Sequence, residues 1–96
     1  MNKFMFLYKG FVPPTPEIGR SWMEWFSQVG DSMADSGNPM TGGVEVTPDG
    51  VNEIELGTES FTGYSIVNAE SMEAAVEHAK TNPMITSVVV YELARM

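Results

Sequence analysis

The stretch FTGYSIVNAESMEAAVEHA, residues 61–79, carries two patterns in succession. Residues 62–67 are rich in β-branched and aromatic side chains, which favour a strand. Ser71 can then cap a helix, because its hydroxyl can accept a hydrogen bond from an amide of the first turn. Small apolar residues follow at helical spacing, at Met72, Ala75, Val76 and Ala79. The stretch therefore predicts a strand that leads into a short helix lying close against a sheet.

The first forty residues predict a second strand and helix. The segment KFMFLYK, residues 3–9, is apolar on both of its alternating faces, which is typical of a central strand covered on both sides. Thr15 and Pro16 have the residue types of a helix start. We expect this helix to continue to Gly37, because its apolar residues recur every three or four positions. These residues are Ile18, Trp22, Trp25, Phe26, Val29 and Met33.

Two further segments complete the predicted sheet. The segment VEVTPDGVNEIEL, residues 44–56, predicts a hairpin that turns at Pro48, Asp49 and Gly50. Glutamates alternate with apolar residues in it, so one face is predicted to be wet and the hairpin to lie at an edge of the sheet. The segment TSVVVYELA, residues 86–94, predicts a β-branched last strand after a helix stop at Asn82 and Pro83.

The predicted order β-α-β-β-α-β is typical of the α+β, ferredoxin-like arrangement, in which two helices cover one face of an antiparallel sheet. We expect a single domain over residues 1–96, because a chain of 96 residues is too short for two.

The first and last strands have apolar side chains on both faces, so the uncovered face of the sheet is predicted to be hydrophobic. Such a face usually marks an interface. We therefore expect a homodimer formed sheet on sheet about a two-fold axis.

Charge and composition limit the classes of partner. Thirteen acidic residues against five basic ones give a net charge of −8, which disfavours nucleic acid and anionic membrane surfaces. No segment approaches the roughly 20 apolar residues of a membrane span. The chain has no cysteine, so it offers no thiolate metal ligand or nucleophile, and a reducing compartment suits it. We expect a cytoplasmic protein without a nucleic-acid or membrane partner.

The sequence resembles the YCII-related domain family, particularly its branch of small proteins associated with extracytoplasmic-function sigma factors. The similarity covers nearly the whole chain and is most specific in GYSIVNAESMEAAVEHAKTNP, residues 63–83, and VVVYEL, residues 88–93. The Asp-Gly-Pro-Phe motif of that branch is not retained, since LGTESFTGY at residues 56–64 keeps only Gly57 and Phe61. The histidine that many members carry in the first helix has no counterpart near Trp22.

The resemblance implies a dimeric α+β barrel and leaves the activity open. Most members have no established function, a few relatives act in the breakdown of chlorinated aromatic compounds, and the same barrel serves unrelated isomerases and monooxygenases. Fold analogy cannot select among these activities.

The candidate site residues are few. His78, the only histidine, is the catalytic candidate as a proton carrier, although helical spacing places it beyond the small-residue stripe, toward solvent or the helix edge. Tyr8, Trp22 and Tyr64 are candidates for lining a substrate pocket, and core packing is the alternative for the same rings. Asp31 and Asp35 are predicted to share a helix face, but two carboxylates are too few for a metal site. We expect no metal and no cofactor.

Two functions are compatible with these residues. The first is a homodimer that binds or transforms a small, partly apolar organic molecule in a cleft between the helices and the sheet. The second is a non-catalytic interaction module whose acidic edge meets a basic protein partner. The edge would consist of Glu45, Glu53, Glu55 and Glu59. The sequence leaves open whether the protein is an enzyme.

Overall fold

The computed structural model describes all residues, 1–96, and contains two α-helices and six β-strands. The elements, in chain order, are β1 (Asn2–Lys9), α1 (Pro16–Val29), β2 (Met33–Asp35), β3 (Gly43–Thr47), β4 (Gly50–Ile54), β5 (Phe61–Ala69), α2 (Met72–Lys80) and β6 (Ser87–Leu93).

Four of the strands form one antiparallel sheet in the order β2-β5-β1-β6. The central strand β1 directs Phe4, Phe6 and Tyr8 into one buried cluster, which also contains Trp25 of α1 and Ala75 of α2. Both helices therefore cover the same face of the sheet, because alternate residues of a strand point to opposite faces. The predicted α+β class and the antiparallel sheet are confirmed.

Both predicted helix starts are confirmed by their caps. The Thr15 hydroxyl accepts a hydrogen bond from the Ile18 amide at 3.2 Å, and Pro16 occupies the first helical position. The Ser71 hydroxyl accepts from the Ala74 amide at 3.1 Å. Each side chain satisfies one of the amides that a helix start leaves without a partner inside the helix.

The predicted end of the first helix is wrong. α1 ends at Val29, and Gly30 follows with φ +58° while its N–H donates to the Phe26 carbonyl. A glycine tolerates this left-handed backbone, so the chain leaves the helix seven residues before Gly37. Asp31 then lies in a single 3₁₀ turn and Asp35 in β2, so the two carboxylates do not share a helix face.

Met33 explains why the sequence suggested a longer helix. Its side chain packs against the buried cluster, as the helical spacing predicted, but it does so from strand β2, where it pairs with Val67. A single apolar residue four positions after Val29 fits a helix and an inward-facing strand residue equally well. The apolar pattern therefore placed Met33 in the core correctly and its backbone incorrectly.

The hairpin at residues 44–56 forms, but its predicted place at the edge of the main sheet is wrong. β3 and β4 make a separate two-stranded sheet, and β2 takes the edge position beside β5. Residues after β2 extend that edge, since Pro39 bridges Gly63 and the Met40 amide donates to the Thr62 carbonyl at 3.0 Å. The hairpin, residues 43–54, is called the arm below.

The segment that follows the arm, residues 55–60, is hydrogen-bonded to residues next to β1 and β6, whereas the arm itself pairs with no strand of the main sheet. The Gly10 amide donates to the Ser60 carbonyl at 2.9 Å, and the Thr86 hydroxyl donates to the Thr58 carbonyl at 2.6 Å. The molecule measures 40 × 39 × 18 Å, so it is flat. Its radius of gyration, 14.3 Å, exceeds the about 12.5 Å of a compact chain of this length.

Neither helix has the length and apolar character required to cross a lipid bilayer.

Candidate functional site

An aromatic cluster fills the space between α1 and the sheet. The rings of Tyr8 and Trp22 meet edge to face, with centroids 4.7 Å apart. Trp25 lies 5.9 Å from Trp22 and 5.5 Å from Phe26, also at steep angles. Such tilted contacts are the favoured geometry for aromatic pairs. The structure thus brings together two of the predicted pocket residues, Tyr8 and Trp22, as members of a packed core.

The Tyr8 hydroxyl is committed to a buried hydrogen-bond chain. It donates to the Ser65 hydroxyl at 2.7 Å, and Ser65 in turn donates to the Ser36 carbonyl at 2.8 Å. Burial raises the pKa of Tyr8 to about 12, and the hydrogen bond to Ser65 opposes that rise. The phenol therefore stays neutral at physiological pH and ties β1 to β5 and to the segment after β2.

His78 lies in the last turn of α2, on the helix side of the sheet, and is half-buried. Its backbone carbonyl accepts from the indole N–H of Trp25 at 3.0 Å and from the Thr81 hydroxyl at 3.0 Å. The bond from Trp25 joins the end of α2 to α1, and the bond from Thr81 closes the last turn of α2. The imidazole makes no hydrogen bond within the chain, so no group of this protein orients it for proton transfer.

Tyr64 lies on the opposite face of the sheet from Tyr8. In the register of β1 and β5, Tyr8 pairs with Gly63 and Leu7 pairs with Tyr64. Adjacent positions point to opposite faces, so the sheet separates the two phenols. The Tyr64 hydroxyl accepts from the side-chain amide of Asn38 at 3.4 Å. The structure does not bring Tyr64 together with Tyr8 and Trp22.

The face that carries Tyr64 is covered by no helix and is called the open face. Met5 lies between Ile66 and Tyr91 there, and Leu7 lies between Tyr64 and Val89. Its apolar and aromatic members, which come from all three long strands, are Met5, Leu7, Tyr64, Ile66, Val89, Tyr91 and Leu93. Tyr91 is 58 % exposed. The face is therefore hydrophobic and open to solvent in the single chain.

Charges on the open face are distributed unevenly. Lys3 and Lys9 belong to the same alternation as Met5 and Leu7, so they flank the apolar centre at the two ends of β1. The long strands β1, β5 and β6 place no carboxylate on this face. Asp35, at the β2 edge, caps the Gly37 amide at 2.8 Å. The face is thus locally basic in a protein whose net charge is −8.

Sequence reasoning missed two buried polar residues. Ser65 is fully buried, and its inward position between Gly63 and Val67 on β5 was a usable signal. Asn82 is 6 % exposed, and neither polar atom of its side chain has a hydrogen-bond partner. No sequence pattern indicated that Asn82 would be buried without hydrogen-bond partners, because an asparagine before a proline is already explained by the end of a helix. The two neighbours of Asn82 in the chain, Thr81 and Pro83, line an open depression of about 390 Å³ together with Trp25 and other residues of α1.

No three side chains of the histidine, aspartate or glutamate type converge to form a metal-binding group. Comparisons with models of protein families, with curated proteins and with solved structures found no match to this chain.

Proposed function

We propose that the functional unit is a homodimer in which two copies pack their open faces together and hold a small, partly apolar organic molecule between them. The observation that carries the proposal is surface area. The chain exposes 6605 Å², whereas a compact folded monomer of its mass exposes about 5,400 Å². The excess of about 1,200 Å² exceeds the roughly 800 Å² that each partner buries in a standard interface.

The chemistry of the open face supports the same arrangement. An apolar face of this kind is costly to leave in water, and a two-fold axis brings identical patches of two chains into contact. Face-to-face packing of two sheets is a stable solution with a core about 10 Å thick. We also propose the dimeric α+β barrel that the resemblance to the YCII-related family implies. We propose a cytoplasmic location as well.

The open face suits the ligand better than the cleft expected from the sequence. On the helix side, aromatic rings occupy the space next to the sheet and the Tyr8 hydroxyl is already bonded. On the open face, Tyr64 pairs with Leu7 and Tyr91 pairs with Met5, so this apolar surface includes two phenols. A few polar groups on an apolar lining are the usual composition of a small-molecule site.

Native mass spectrometry of protein purified gently from its producing cells tests the homodimer and the bound small molecule in one experiment. We expect the mass of a dimer together with a discrete retained molecule. Tyr91→Glu should give a monomer without the retained mass, because it places a charge beside Met5 on the apolar open face. The matched control is Met23→Glu, since Met23 is 71 % exposed on α1 and lies away from the open face. A wild-type monomer would overturn the proposal.

A catalytic role for His78 is a separate proposal. The imidazole is on the helix side, so it requires a substrate that reaches that side, near Tyr8 and Trp22. If the retained molecule is turned over, His78→Ala should abolish turnover while the dimer persists. Unchanged turnover removes His78 from the mechanism.

The second candidate function, an acidic interaction module, is favoured by the shape of the arm. Glu45 and Glu53 lie on the projecting hairpin, and Glu55 and Glu59 lie on the segment that follows it. All four are exposed. A basic protein captured by this surface should dissociate steeply as salt rises, and Glu45→Gln with Glu55→Gln should weaken its capture. Capture that is insensitive to salt would count against this function.

A further inference from the structure

The arm has an apolar face that is exposed to solvent. Val44, Val46 and Val51 share one of its faces and are 55 %, 72 % and 64 % exposed. An isolated two-stranded hairpin is only marginally stable in water and needs a packed face to persist. The arm pairs with no strand of the main sheet, and none of these valines belongs to the buried cluster or packs against it. The covering surface must therefore come from another molecule.

The charges of the arm complement those of the open face. The segment 41–60 contains five carboxylates and no basic residue; the carboxylates are Glu45, Asp49, Glu53, Glu55 and Glu59. The open face carries Lys3 and Lys9 without a carboxylate on the long strands. Two open faces packed together would bring four lysines toward one interface. Like charges placed together there cost free energy unless opposite charges join them.

We infer that each arm reaches across to the second copy and lies on the rim of its open face. The valine face covers apolar rim surface, and Glu53, which pairs with Val44 and so shares that face, lies beside a lysine of the second copy. Strands of five residues span about 17 Å, enough to cross three neighbouring strands of a sheet. This inference rests on the proposed dimer and adds that the arms hold it together.

Substitution of the valines tests the inference without disturbing the core. Val46→Ser with Val51→Ser should raise the dimer dissociation constant at least about tenfold in sedimentation equilibrium, because each of the two arms loses two apolar side chains from the interface. Met23→Ser is the matched control, since Met23 and Val46 are equally exposed at 71 % and 72 %. The control should leave the constant unchanged. An equal effect of both variants would overturn the inference.

A charge exchange tests the proposed contact itself. Glu53→Lys should weaken the dimer, and Lys3→Glu with Lys9→Glu in the same chain should restore it. Hydrogen exchange gives a second readout: amides of residues 44–53 should exchange slowly in the dimer and rapidly in the monomeric Tyr91→Glu variant. Identical exchange of the arm in both states means that the arm is not at the interface.

The outcomes separate this inference from the proposed function. A wild-type monomer contradicts both. A dimer that Tyr91→Glu disrupts, but that the valine substitutions leave unchanged, keeps the proposed function and contradicts the arm. If Glu53→Lys abolishes capture of a basic protein while the dimer constant is unchanged, the arm serves the second candidate function and the inference is wrong.

Discussion

Tyr8 and Tyr64 illustrate what a sequence reveals about single residues. Both were recognisable as strand residues, but the face to which each points depends on the register between β1 and β5, which the sequence does not specify. Once the register is known, Tyr8 belongs to the buried cluster and Tyr64 to the open face. Candidate site residues could therefore be selected by type but not grouped in space.

The first prediction concerns the raised pKa of Tyr8. Burial favours the neutral phenol over the phenolate in the folded state. The contribution of Tyr8 ionisation to the free energy of unfolding is therefore fully present below the ordinary pKa near 10 and is lost as the pH rises toward about 12. The free energy of unfolding should fall over this range. Chemical denaturation at a series of pH values measures it, and in Tyr8→Phe this part of the decline should vanish. An identical pH profile for both proteins would contradict the prediction.

The second prediction contrasts two glycines. Gly37 has φ +77°, and a Cβ there would overlap the carbonyl oxygen of Tyr64, so Gly37→Ala should destabilise the fold by at least about 1 kcal/mol. Gly19 lies within α1 with no atom near its would-be Cβ, so Gly19→Ala should stabilise by about 0.5–1 kcal/mol. Urea denaturation measures both. Equal effects of the same sign would show that neither backbone position is special.

At the scale of elements, local chemistry was predictable and pairing was not. Thr15 and Ser71 identified two helix starts, because a cap depends on residues within one turn. The end of α1 and the strand β2 were missed, because a three-residue strand depends on its distant partner β5. The hairpin was predictable because its turn is local. The alternation of glutamates and valines did not indicate that the hairpin is separate from the main sheet.

The third prediction concerns the cap of α2. Ser71→Ala should lower the free energy of unfolding by about 1 kcal/mol, because the Ala74 amide loses its hydrogen-bond acceptor. Ser71→Asp should retain most of the stability, since a carboxylate can accept the same bond at a helix start. Thermal denaturation followed by circular dichroism distinguishes the two. Equal losses in both variants would mean that the cap contributes little.

At the scale of the whole molecule, the hydrophobic open face was predicted correctly from the apolar residues on both faces of β1 and β6. Its size and charge were not predictable, because they depend on which residues the sheet brings side by side. Lys3 and Lys9 look unremarkable as the ends of a strand, yet the fold makes them the basic rim of an apolar surface.

The fourth prediction follows from the proposed dimer. A partner that binds only the native state raises the melting temperature by mass action, so the melting temperature should increase by a few degrees over a wide range of protein concentration. The Tyr91→Glu variant should melt at a constant temperature across the same range. Differential scanning calorimetry makes the comparison. A wild-type midpoint independent of concentration would contradict self-association.

The two edges of the main sheet differ, and this difference limits how the protein can aggregate. β6 is a seven-residue edge strand with three consecutive valines, whereas β2 has three residues and an irregular register. Fibre growth by edge addition requires that the two edges of one molecule match each other, and these do not. Within the main sheet the long edge is that of β6, so edge pairing joins β6 to another β6 and occupies the long edge of both molecules. The sheet is thus protected against open-ended polymerisation by its own asymmetry.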